Sequence, residues 1–120
     1  MNDQLTISYR PVNDSTVIMD LSGDFTRYAE EEMLRTYQQV SAQGFTSLLY
    51  NFTGITNINS SGIAVLIGIV SEARRKSQKI VVFGLTDHYV KVFNMIGLPK
   101  YIDIVNNENQ ALGVGAGEAK

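Results

Sequence analysis

The sequence predicts an α/β domain: one open, mostly parallel β-sheet with an N-terminal hairpin strand and crossover helices. Three observations carry this reading. Short apolar runs at 16–21, 46–52 and 79–83 show little alternation, as strands covered on both faces do. Helical periodicity fills the intervals, at 28–41, 61–76 and 87–96. The resulting alternation of strand and helix implies successive parallel crossovers, which are right-handed almost without exception.

The first strand differs from the others. Leu5, Ile7 and Tyr9 alternate with Thr6, Ser8 and Arg10, giving one wet face. Pro11 and Asn13-Asp14-Ser15 make a turn into the second strand, at 16–21, so these two pair as a hairpin at one end of the sheet. Ser22-Gly23-Asp24 is read as the break that ends the second strand. A helix over 28–41 places Met33, Leu34, Tyr37 and Val40 on one face, with Glu30, Glu31 and Glu32 in its first turn. Consecutive acids point different ways around a helix, so this triplet is not a metal site. Gly44 ends the helix.

The third strand, at 46–52, leads through a polar stretch at 53–59 into the most apolar helix of the chain. Ile63, Leu66, Ile67 and Val70 are expected to form its buried face. Val65 then projects roughly opposite and Ile69 lies on the flank. Ala64, Gly68 and Ser71 form a small-residue flank. Ser60 and Ser61 fall at the start of this helix, and a Ser or Asn there caps it by accepting a hydrogen bond from an unpaired N–H. The same position is the positive end of the helix dipole, where a phosphate is electrostatically welcome. By itself, a Ser pair before an apolar helix is simply a cap.

Arg74-Arg75-Lys76 closes that helix, which suits its dipole. Lys79–Phe83 is a buried strand. Thr86 caps a helix over 87–96, Gly97 fits the left-handed position after it, and Pro99 prevents its continuation. A last strand is expected at 101–105 and part of a helical turn at 109–112. The glycines at 113, 115 and 117 make 113–120 a flexible tail, so the folded domain is expected to span 1–112.

Composition narrows the function. A 120-residue chain buries about two-thirds of its unfolded surface as one domain. A net charge of −2 argues against nucleic acid as the main partner, and the absence of cysteine excludes disulfides and thiol chemistry. No basic region followed by an apolar run opens the chain, and no apolar stretch reaches about 18 residues. A cytoplasmic protein without membrane insertion is therefore expected. No cofactor is expected either: the phosphate-cradling pattern G-x-x-x-x-G-K-[ST] is absent. His88 stands alone, without a second ligand candidate. Asp20, Asp24 and Asp87 are the carboxylates that could converge on the carboxyl ends of the strands, which is a weak basis for an enzyme.

The run from Leu48 through Asn51-Phe52-Thr53-Gly54-Ile55-Thr56 to Asn59-Ser60-Ser61-Gly62-Ile63 resembles the signature of STAS domains, the family of anti-sigma factor antagonists. There a strand ending D-L-S-G-V leads into D-S-S-G-L or D-S-T-G-L. Leu21-Ser22-Gly23-Asp24 resembles the family's L-S-G-E, and the segment from Val82 to Leu98 resembles its next strand and the helix ending S-G-L. The similarity extends from about Leu5 to about Leu112.

This resemblance implies a regulatory protein-binding module in which an anti-sigma factor that is also a serine kinase phosphorylates the residue just before the glycine. That residue is Ser61, with Ser60 as the alternative. The partner surface would comprise Asn57, Asn59, Ser60, Ser61, Gly62, Val65 and Ile69, on a monomer or weak dimer. Two positions depart from the pattern: the family's acids at the strand end and before the serine pair are Asn51 and Asn59 here. These substitutions suit a second reading, a scaffold that is not phosphorylated, within a stressosome-like, lipid-transport or anion-transporter complex.

Overall fold

A computed structural model describes residues 4–115. Strands β1 (Thr6–Pro11), β2 (Thr16–Phe25), β3 (Ser47–Ile58), β4 (Lys79–Phe83) and β5 (Asp103–Val105) form one sheet in sequence order. The β1–β2 pair is antiparallel and every later pair is parallel. Helices α1 (Glu30–Ala42), α2 (Ser60–Arg75) and α3 (Asp87–Met95) make the crossovers, and α4 (Glu108–Gly115) follows the last strand. The expected class, a mostly parallel open sheet with an N-terminal hairpin strand, is the observed one.

Strand order explains the layering. When each parallel strand is added next to its predecessor by a right-handed crossover, the connecting helices all fall on one face. The larger apolar cluster accordingly joins Val17, Met19, Leu48, Tyr50 and Val82 of the sheet to Met33, Leu66, Ile69 and Phe93 of the three crossover helices. The other face carries a smaller cluster, where Ile18, Leu49, Val81 and Phe83 meet Ala111 of α4. Tyr50 is wholly buried in the first cluster with its hydroxyl unpartnered among the described residues, and burial pushes its phenol far above the ordinary value.

Several elements differ from the expected ones. The Ser22-Gly23-Asp24 break is no break: β2 continues to Phe25 through irregularities in its register with β3. The polar stretch after Phe52 is likewise strand, out to Ile58. Because β4 ends opposite Asn51, the remainder of β3 runs beyond β4 paired only to β2, which leaves Thr53, Gly54, Thr56 and Asn57 exposed. The last strand is shorter than expected, starting at Asp103.

The C-terminal helix is longer, running through Gly115 rather than ending at Leu112. Tertiary contacts offset its glycines: the Ser47 hydroxyl donates to the Gly115 carbonyl at 2.7 Å, and Lys79 Nζ donates to that of Val114 at 3.2 Å. The rest of the expected tail, 116–120, lies outside the described residues.

Two helix faces are rotated from the expected ones. In α1 the buried set is Met33, Thr36, Tyr37 and Val40, and Leu34 is exposed. In α2 the correction matters more for function. Ile69 is fully buried, whereas Ile67, assigned to the core by spacing, is 43% exposed. Gly62, Leu66, Ile69, Val70 and Ala73 face inward, Ile63 and Val65 are half-buried, and the rest of the helix meets solvent.

Candidate functional site

The start of α2 is fixed by two contacts to the end of β2. The Asn59 N–H donates to the Phe25 carbonyl at 3.3 Å, which holds the capping residue in place. Gly62 is buried against the same residue: a Cβ at this position would overlap the Phe25 carbonyl. Only glycine permits so close an approach. Gly62 is therefore not a contact surface, as the motif suggested, but the seat on which the helix rests.

Asn59 is the cap. Its backbone is extended (φ −110°, ψ 177°), and its Oδ1 accepts from the Gly62 N–H at 2.9 Å. With the cap supplied, Ser60 and Ser61 stand in the first turn, both exposed, and neither hydroxyl has a hydrogen-bond partner among the described residues. Two nucleophilic hydroxyls thus sit at the positive end of a 16-residue helix without structural employment.

Ser61 and Asn59 open onto a cleft of about 770 Å³ between the ends of β2 and α2 and the segment entering α1. Asp24, Glu31 and Glu32 line it with negative charge, and Arg27 is its one cation among the described residues. The Asp24 carboxylate accepts from the Thr56 hydroxyl at 2.9 Å, and Arg27 donates to the Tyr28 hydroxyl at 3.2 Å. That bond holds the Tyr28 phenol below its ordinary pKa, because the guanidinium favours the phenolate. Sequence reasoning missed Arg27 and Tyr28. Their only signal was position: they sit just ahead of α1, opposite the serines in a pairing that no local pattern shows.

The other expected site residues scatter. Asn57 points towards α3, where its Oδ1 accepts from the Tyr89 hydroxyl at 3.5 Å while that hydroxyl accepts from the Ile58 N–H at 3.1 Å. Val65 lines the groove between α1 and α2, with Leu34, Ala64 and Gly68. Ile69 touches no partner surface, being wholly within the core. The three carboxylates do not converge. Asp20 is bound on the α4 side of the sheet, Asp24 faces the cleft, and Asp87 begins α3.

Asn51 also lies away from the serines. Its Nδ2 donates to Asp20 Oδ1 at 2.8 Å, and its own Oδ1 accepts from the Thr53 N–H at 3.0 Å. Arg10 completes this network, reaching Asp20 at 2.6 and 2.9 Å and Glu108 of α4 at 3.0 Å. The Arg10 guanidinium, helped by Asn51, holds the Asp20 carboxyl below the usual range. A carboxylate at position 51 would stand against Asp20. The asparagine is explained by its neighbour on β2, without reference to the serines. Among the described residues there is no cluster of three or more metal-ligating side chains, and no helix is long and apolar enough to cross a membrane.

Comparison with known proteins adds the following. The family model described as "Mlab, STAS domain" matches residues 10–106. The anti-sigma-B factor antagonist of Listeria monocytogenes is 23% identical over 116 residues, which cover 97% of this chain and 100% of that one. Among solved structures, an anti-sigma factor antagonist from Mycobacterium paratuberculosis aligns with a TM-score of 0.80 at 15% identity, over 96% of this chain and 97% of that chain. The Bacillus cell fate determinant SpoIIAA in its phosphorylated form aligns with a TM-score of 0.69 at 19% identity, over 88% and 94% respectively. At these identities the solved structures show a shared fold.

Proposed function

The chain belongs to the STAS domain family, and we propose that it is a regulatory binding module of the anti-sigma factor antagonist type, switched by phosphorylation of Ser61. The partner is an anti-sigma factor that is also a serine kinase, and the setting is the cytoplasm. The module itself carries out no chemistry, in keeping with relatives named as antagonists. One observation carries the reading: Asn59 takes the capping role, which leaves the Ser61 hydroxyl exposed and unbonded on an open cleft.

The physics of the switch follows from that placement. A phosphate adds about −1.5 to −2 charges and three acceptor oxygens. At the first turn of α2 the helix dipole tolerates this charge, so the fold is kept. The carboxylates of Asp24, Glu31 and Glu32 line the same cleft, so the modified rim becomes strongly negative. A partner seated over Ser61 in the unmodified form then meets added bulk and unpaired, desolvated charge, and leaves.

Asn59 is compatible with this scheme, since the cap needs an acceptor oxygen and Asn supplies one as Asp would. Incubation with candidate kinase partners and ATP, followed by mass spectrometry, tests the proposal. A stoichiometric phosphate that Ser61→Ala abolishes and Ser60→Ala does not is expected. Stable binding with no phosphate at Ser61 would overturn it in favour of a scaffold within a stressosome-like, lipid-transport or anion-transporter complex.

A further inference from the structure

The end of the molecule away from Ser61 carries a surface that the switch does not use. Met95 is 84% exposed, Ile96 48% and Tyr101 50%, so three of the large exposed apolar side chains fall within one short segment. The core does not require them: Phe93 is the buried residue of α3, and Leu98 is the residue that turns inward after it. Ile96 and Tyr101 line a groove of about 390 Å³ together with Asn94, Gly97, Pro99 and Lys100, and Met95 protrudes beside it. Its floor is open at Gly97, where a Cβ would meet nothing within 4 Å.

Cations accompany this exposed segment. The Arg74 guanidinium lies 4.5 Å from the centre of the Tyr101 ring, Lys100 lines the groove, and Lys91 precedes Met95 by one turn of α3. Among the described residues none of these three has a carboxylate partner, whereas the neighbouring Arg75 and Lys76 are both committed to Glu72 and Lys79 to Asp103. Along α2, Arg74 is about 20 Å from Ser61 at 1.5 Å per residue, so the two surfaces are separate.

We propose that this surface binds an acidic, amphipathic segment of a partner protein, with apolar side chains in the groove over Gly97 and carboxylates on Arg74, Lys91 and Lys100. Charge complementarity selects the acidic partner, because three cations beside exposed apolar area are unneutralised. A lipid surface would engage the protruding Met95 but leave the groove between Ile96 and Tyr101 unfilled, so the groove favours a peptide. A second copy of this chain is disfavoured by position, since its carboxylate-rich cleft is the one that surrounds Ser61.

The test uses a fluorescent synthetic 14-residue helical peptide with Glu and Asp on one face and Leu and Phe on the other, and a control with Lys replacing the acids. Saturable binding of the acidic peptide is expected, with amide NMR shifts confined to residues 91–101 and the end of α2. Affinity should fall at least tenfold in Lys91→Glu/Lys100→Glu and in Met95→Ser, all at exposed positions, with thermal melts unchanged. Ser61→Asp should leave this binding intact, so failure here and failure of the phosphorylation switch are separately visible. Equal binding of the Lys control, or shifts elsewhere on the protein, would overturn the proposal. So would sedimentation with phosphatidylglycerol vesicles without peptide binding, or a concentration-dependent dimer abolished by Met95→Ser.

Discussion

The two sides of α2 differ: one is committed to the core, and the other is free for the proposed recognition. Gly62, Leu66, Ile69, Val70 and Ala73 face the sheet and are buried, and the first of these is pressed against the Phe25 carbonyl. Ser61, Ala64, Ile67 and Gly68 face solvent. Ser61 and Gly62 are sequence neighbours with opposite duties: the glycine cannot be changed without moving the helix, and the serine can be changed without touching the core. A switch placed on such a border alters the surface while the scaffold stays fixed, which is what interface loss without refolding demands.

The largest effect should distinguish the two isoleucines of that helix. Truncating Ile69 to Ala should cost about 2–5 kcal/mol in chemical denaturation, as fully buried aliphatic side chains do. Ile67→Ala should change stability by about 0.5 kcal/mol or less, as exposed substitutions do. Comparable losses at both positions would break the two-sided description.

This rotation is the part of the helix that the sequence did not reveal. The sets 63, 66, 67, 70 and 62, 66, 69, 70, 73 both satisfy helical spacing and share Leu66 and Val70. What decides between them is the non-local contact of Gly62 with Phe25, which pulls the first turn onto β2. Strand existence, the N-terminal hairpin and the serine pair at the helix start were legible, because periodicity, turn and capping chemistry are local. The extensions of β2 and β3 were not, since strands that outrun their neighbour are polar and resemble loops.

Asn51 offers a second comparison, on the other face of the sheet. On the α4 face, Asn51→Asp would set a second carboxylate against Asp20, which Arg10 already holds ionised. Thermal stability at pH 7 should drop, by about 1–3 kcal/mol for a part-buried bond turned into a repulsion. The gap to the unmodified protein should narrow below about pH 4, where one of the two carboxyls takes up a proton. In the unmodified protein the sign is the usual one for a lowered carboxyl. Asp20's contribution is present above its unfolded value of about 3.9 and is lost as the pH falls through the folded one.

A smaller effect belongs to the cap. Asn59→Ala removes the acceptor for the Gly62 N–H and should cost about 1 kcal/mol in denaturant melts, with Asn59→Asp retaining most of the stability. A loss on Ser60→Ala equal to that on Asn59→Ala would mean that the hydroxyl shares the capping role.

The smallest change in stability should accompany the largest change in binding, at Ser61. Titration calorimetry of the proposed kinase partner against Ser61→Ala and Ser61→Asp, with a thermal melt of each variant, measures this directly. The account predicts two folded proteins with unmodified melting behaviour. Ser61→Ala should bind at near the unmodified affinity, because one exposed hydroxyl contributes little contact, and Ser61→Asp should bind at least tenfold more weakly, because its carboxylate is unpaired and desolvated in the complex. Equal affinities for the two folded variants would show that charge at this position is not the switch.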